Sequence, residues 1–139
     1  MAESKVVLDS SAVIALFRAE PFAADVREVL RLGGARMVTV NAAETVDVLT
    51  RVYRWDADRV IGSVEQLVST VVESIPASLG LATIAGELRA RLCHRRTRRL
   101  SIADCFVLAV ARPGDRIVTT DRILEDAAQA EGYAVLAPG

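Results

Sequence analysis

Short, continuous apolar runs alternate with longer stretches of helical periodicity along this chain. Val6-Val7-Leu8 predicts a buried strand that ends at Asp9. Ser10 and Ser11 open a helix through about residue 18. Pro21, at the favoured first helical position, starts a second helix that Gly33-Gly34 stops. Residues 36–40 read as a second strand. Asn41 is placed to cap a helix to about residue 53, and Asp56 another to about residue 72. Residues 73–76 suit a short edge strand, where Pro76 is tolerated. Further helices are expected over residues 81–94, from Ser101 to just before Pro113-Gly114, and over 122–130. Strands are expected at 117–120 and 133–136.

Strands that are apolar throughout and separated by helices indicate an α/β fold, a short parallel sheet covered by helices on both faces. The length of 139 residues, without linker, repeat or low-complexity segment, reads as one domain over residues 1–139. The hydrophobic share of 52% is enough for one core. No apolar run reaches 18 residues and no basic stretch precedes a long apolar one, so neither a membrane span nor a signal peptide is expected. Cys93 and Cys105, twelve residues apart, form neither a CxxC pair nor a disulfide framework. They suit a reducing, cytoplasmic setting. One histidine and two cysteines do not readily supply a zinc site.

Against this apolar background four acids stand out. Asp9 is the only charge between Val6 and Phe17, Glu44 the only one between Met37 and Val46, and Asp104 the only one between Leu100 and Ala111. Asp121 closes the run Ile117-Val118-Thr119-Thr120. Taken singly, each could be a helix cap: Ser101-x-x-Asp104 and Asn41-x-x-Glu44 both have the form of a capping box. Caps usually sit among solvated polar residues, whereas these acids interrupt runs of Val, Ile, Leu and Ala. Parallel sheets gather ligands at the carboxyl ends of their strands, and all four acids can converge there. Two carboxylates about 4 Å apart repel by about 4 kcal/mol at an effective dielectric near 20. The natural remedy is a divalent cation with oxygen ligands, Mg²⁺ above all, which can activate water and steady charge on a phosphodiester.

These four motifs, in order and at matching spacing, resemble the PIN-domain family: Val7-Leu8-Asp9-Ser10-Ser11-Ala12, Glu44 early in a helix, Leu100-Ser101-Ile102-Ala103-Asp104, and Val118-Thr119-Thr120-Asp121-Arg122. More narrowly they resemble the VapC toxins of toxin–antitoxin pairs. The resemblance spans nearly the whole chain. It implies a PIN-like three-layer sandwich and a Mg²⁺- or Mn²⁺-dependent endoribonuclease, usually dimeric, held inactive by a VapB-type antitoxin. It makes Asp9, Glu44, Asp104 and Asp121 both the metal ligands and the catalytic acids, with Thr119 at a hydroxyl position near the site and Ser10 orienting Asp9. Arg99, where a small residue is common, departs from the family pattern and bears on the local loop.

Net charge is −1, and sixteen of the seventeen cations are Arg. The densest basic stretch holds Arg89, Arg91, Arg95, Arg96, Arg98 and Arg99. The last four are candidate RNA contacts just ahead of Asp104; a solvated helix end is the plainer reading. His94, within that stretch, reads as a surface residue. Val46, Leu49, Val52, Tyr53, Trp55, Ile61, Val64 and Leu67 offer core, a dimer face or a groove for an antitoxin helix. A phosphoacceptor receiver domain would need a lysine after a late strand, and Lys5 is the only lysine. A haloacid dehalogenase-like phosphatase would need two acids separated by one residue after the first strand, which Asp9-Ser10-Ser11 lacks. The remaining alternative is a catalytically inactive PIN-like module that binds RNA or protein.

Overall fold

A computed structural model describes residues 5–94 and 96–139. In chain order it contains β1 (Val6–Leu8), α1 (Ser10–Phe17), α2 (Ala23–Leu32), β2 (Ala35–Val38) and α3 (Thr39–Asp47), which widens into a π-helical turn over Val48–Val52. There follow α4 (Ala57–Thr70), β3 (Val72–Ile75), α5 (Leu79–Leu92), α6 (Ile102–Val110), β4 (Arg116–Val118), α7 (Arg122–Ala130) and β5 (Ala134–Leu136). The five strands are all parallel, in the order β3-β2-β1-β4-β5. The order therefore reverses between β1 and β4, where Val7 lies opposite Ile117 and Leu8 opposite Val118. Crevices for ligands open beyond the carboxyl ends of strands at such a reversal.

Each strand is only three or four residues long and buries alternate side chains in opposite layers. Val6, Leu8, Met37 and Val118 pack with Val13 of α1, Val26 and Val29 of α2, and Leu67 of α4. Val7, Val38 and Ile117 pack with Ala85 of α5, Phe106 and Val107 of α6, and Leu124 of α7. Burial of one such Val or Leu contributes roughly 1.5–3 kcal/mol. Two covered faces thus explain why the strands read as unbroken apolar runs.

The structure departs from the sequence expectations in three places. Asn41 does not cap a helix. Val38, still extended, runs directly into α3 at Thr39, so Asn41 falls in the first helical turn and is fully buried. Pro21 does not sit at the first helical position either. A turn closed by the Ala23 N–H on the Glu20 carbonyl (2.8 Å) lets Phe22 enter the core, and α2 begins only at Ala23. Strand β4 stops at Val118, which frees Thr119 and Thr120 to form the turn that carries their polar groups. Arg36, in the middle of β2, is buried at 2% exposure and paired with Asp115.

Candidate metal centre

Asp9 follows β1 and occupies the cap position of α1, yet its carboxylate makes no capping bond. Instead Oδ2 accepts a hydrogen bond from Ser11 Oγ at 2.6 Å and another from Thr119 Oγ1 at 2.8 Å. Both hydroxyls are themselves held from behind: the Thr120 N–H donates to Ser11 Oγ and the Asp121 N–H to Thr119 Oγ1, each at 2.9 Å. A hydroxyl has a single proton. The two hydroxyls lie 3.1 Å apart, but a charge-assisted bond to carboxylate is the stronger use of each proton. The network therefore fixes Asp9 as an acceptor whose Oδ2 is saturated. Its other oxygen, Oδ1, is buried and has no hydrogen-bond partner.

The four acids are near enough to act on one another electrostatically: Glu44 and Asp121 on Asp9, and Asp9 and Asp121 on Asp104. Glu44, on the second turn of α3, accepts a hydrogen bond from Ser10 Oγ. Asp104 sits in the first turn of α6 in a reciprocal capping box: its N–H donates to Ser101 Oγ (3.0 Å), and its Oδ2 accepts the Ser101 N–H (2.9 Å). Asp121 caps α7 through Oδ1, which accepts the N–H groups of Ile123 (2.8 Å) and Leu124 (3.4 Å). Capping and membership of the cluster are thus not alternatives for Asp104 and Asp121, because a carboxylate has lone pairs enough for both.

Electrostatics tie the group together. Burial raises the Asp9 pKa; Ser11 and Thr119 act against that, and the negative charges of Glu44 and Asp121 add to it. Asp104 is pushed up to about 7, first by burial and then by the fields of Asp9 and Asp121, against the hydrogen bond from the Ser101 backbone. Like charges held in a desolvated place behave in this way. The helices that carry the acids, α1, α3, α6 and α7, begin at this end of the sheet, and their N-termini favour negative charge there.

Ser10 does not take the role the resemblance implies for it. Ser11, not Ser10, orients Asp9, while Ser10 holds Glu44. The difference follows from the helical turn: α1 starts at Ser10, which aims that side chain at α3 and the next one back at the strand ends. Thr119 does lie against Asp9. In the basic stretch, the Arg89 Nε donates to the Leu100 carbonyl (2.9 Å) and Arg91 pairs with Glu131 (2.8 Å), so both serve the fold. His94 and Arg98 form a small antiparallel bridge. Arg96, Arg99 and His94 are exposed, Arg98 is half-buried, and Arg95 lies outside the described residues.

Residues 6–130 match the sequence model of the PIN domain. The chain belongs to the PIN-domain family. No curated protein sequence matches it. Among solved structures, Mycobacterium tuberculosis VapC20, a sarcin-ricin loop cleaving toxin, matches with a TM-score of 0.74 and 21% identity, over 96% of this chain and 100% of that one. DNA-bound VapBC from Salmonella typhimurium matches at 0.70 and 18%, over 97% and 98%. VapBC2 from Rickettsia felis, bound to a promoter DNA fragment, matches at 0.68 and 13%, over 96% and 98%. These likenesses are of fold.

PIN-domain nucleases generally use a divalent metal, and the residues here fit one. The donor set is carboxylate oxygen, and Asp9 Oδ1 is a buried acceptor without a donor. Among the described residues no three His, Cys, Asp or Glu side chains converge into a ready-made metal cage. Mg²⁺ does not call for one, since it is commonly held by one or two carboxylates and keeps several waters.

Proposed function

We propose that this PIN domain is a metal-dependent endoribonuclease toxin of the VapBC type, hydrolysing RNA phosphodiester bonds with Mg²⁺ or Mn²⁺ held by Asp9, Glu44, Asp104 and Asp121. The observation that carries this reading is Asp9: a carboxylate locked through one oxygen by Ser11 and Thr119, with its other oxygen buried and unpartnered, in the electrostatic reach of other acids. Most buried polar atoms in folded proteins find a partner, so an unsatisfied carboxylate oxygen calls for an explanation. The bound cation would supply a water of lowered pKa and charge stabilisation at the phosphate. Asp9 offers the fixed oxygen, with Ser11 and Thr119 preventing its rotation. Glu44, steadied by Ser10, and Asp121, steadied by its cap, offer further oxygens from neighbouring elements. Burial pushes the Asp104 pKa up to about 7, so below that pH its proton must leave before it can act as a ligand. Exposed Arg96 and Arg99, with Arg95 and Arg98 of the same stretch, are the cations proposed to meet RNA phosphates.

The partner reading rests on the α1–α4 side. Leu49, Val64 and Leu67 belong to the core, whereas Val52, Tyr53, Trp55 and Ile61 are exposed. Phe17, Trp55, Arg59, Val60 and Ser63 line an open cavity of about 330 Å³ there. This supports a seat for a VapB-type antitoxin helix or for a second subunit of a homodimer. VapB-type partners accompany the toxins in two of the matched solved structures. No helix among the described residues is long and apolar enough to cross a membrane.

The deciding experiment is cleavage of RNA by the purified chain with Mg²⁺, Mn²⁺ or EDTA, beside Asp9→Asn and Asp104→Asn. Metal-dependent cleavage that both substitutions abolish supports the reading. RNA binding without cleavage would favour the inactive module. Cleavage indifferent to both substitutions marks a contaminant and defeats the assignment.

A further inference from the structure

We infer that Asn41 is a positioning residue for the acidic site, one that locks the first turn of α3 to the first turn of α6. The inference rests on the metal-site reading above, but its evidence is separate. Asn41 is completely buried, yet it is poorly satisfied. Its Nδ2 donates one long hydrogen bond, 3.4 Å, to the Ala103 carbonyl, and its Oδ1 is buried with no partner at all. A buried amide with an orphan oxygen costs stability that a similarly sized apolar side chain would not. Folding alone therefore gives no reason for an asparagine in this place.

Its location supplies one. Glu44 lies three residues ahead on α3, on the same helical face, and Ala103 immediately precedes Asp104 on α6. The Asn41 amide is thus the polar contact between the turn preceding Glu44 and the residue preceding Asp104. Its own turn is stiffened from the other side, where Thr45 Oγ1, also fully buried, donates to the Asn41 carbonyl at 2.8 Å. An apolar contact here would leave α3 free to slide along α6, because dispersion forces have little directional preference. A hydrogen bond between one amide and one carbonyl selects a single register. The acids repel one another, so the helices that bear them need a fixed relation not supplied by the acids themselves.

Two substitutions test this. Asn41→Leu keeps the branched shape in a larger side chain and removes the bond; Asn41→Ser is smaller, and keeps the test open if leucine proves too bulky to fold. The measurements are thermal melting of the metal-free protein and Mn²⁺ affinity by calorimetry, with Glu44→Gln for reference. The expected result is a melting temperature equal to or above wild type together with Mn²⁺ binding weakened about ten-fold, as when a metal ligand's supporting partner is lost. Wild-type Mn²⁺ affinity in either folded variant overturns the inference and leaves the metal site standing. A lowered melting temperature with unchanged affinity also overturns it, because the role is then only structural. Absence of Mn²⁺ uptake by wild type itself removes the metal site, and with it this role for Asn41.

Discussion

The molecule buries charge in two places, and the two are built on opposite plans. At the carboxyl ends of the strands it gathers four acids of like sign, Asp9 and Asp104 buried and Glu44 and Asp121 half-buried, which accept hydrogen bonds from hydroxyls and backbone N–H groups. In the layer beneath α6, Arg36 pairs with Asp115; Asp115 also accepts the Arg112 N–H at 2.8 Å, and Arg36 reaches the Val110 carbonyl at the end of α6. One helix joins them: α6 begins at the acids and ends over the arginine. That pair joins opposite charges, although Arg36 Nε is buried without a hydrogen-bond partner. The acids are of one sign, and burial first, then the fields of neighbouring acids, raises the pKa values of Asp9 and Asp104. Opposite charges anchor the fold by their mutual attraction, whereas like charges held together are destabilising unless a proton or a cation offsets them.

The largest expected effect breaks the Arg36–Asp115 pair. Asp115→Ala leaves the Arg36 guanidinium buried and uncompensated, and urea denaturation is expected to show a loss of about 3–5 kcal/mol. An equivalent deletion among the acids should do the reverse. Asp104 holds its proton more tightly folded than unfolded, so its contribution is fully present below about pH 4 and is lost as pH rises through about 7. Asp104→Asn, which keeps the cap, is therefore expected to stabilise the metal-free protein by about 2–4 kcal/mol at pH 8 and hardly at all at pH 4. Denaturation at both pH values checks this; equal differences at the two would contradict the assigned cause.

Adding a cation to the acids should have a comparable, slightly smaller effect. Mn²⁺ at a hundred times its dissociation constant is expected to stabilise wild type by about 2.7 kcal/mol at pH 7.5 and to do little for Asp9→Asn. Its affinity should fall as pH drops below about 7, because the proton on Asp104 competes. Differential scanning calorimetry across metal concentrations reads both. The smallest effect belongs to charge that is paired but not buried. Arg51 and Asp47, one turn apart on the surface near Glu44, make a 2.9 Å pair in water. Arg51→Ala is expected to leave the melting temperature and metal affinity unchanged within error, and a clear loss of either would mean that the surface pair supports the site.

Much of this architecture was legible from the pattern of residues. Apolar triplets such as Val6-Val7-Leu8 could only be strands buried on both faces, and lone acids at their ends had to lie where parallel strands finish. Helix starts at Asp56, Ser101 and Asp121 were readable because capping is a local bond between near neighbours. The capping alternative and the cluster reading both survive for Asp104 and Asp121, since different oxygens can do different work.

What sequence could not decide was every choice that depends on a distant partner. Ser10 and Ser11 are equivalent in sequence, and only the direction in which α1 leaves the strand sends one to Glu44 and the other to Asp9. Asn41 looks like a cap until β2 runs without pause into α3 and turns it toward Ala103. Arg36 interrupts a strand, with nothing nearby to show that Asp115, seventy-nine positions on, neutralises it. Local pattern determined the elements, because backbone hydrogen bonding and hydrophobic period act over a few residues. Tertiary structure determined the partners, because electrostatic and hydrogen-bonding satisfaction depends on distance in space.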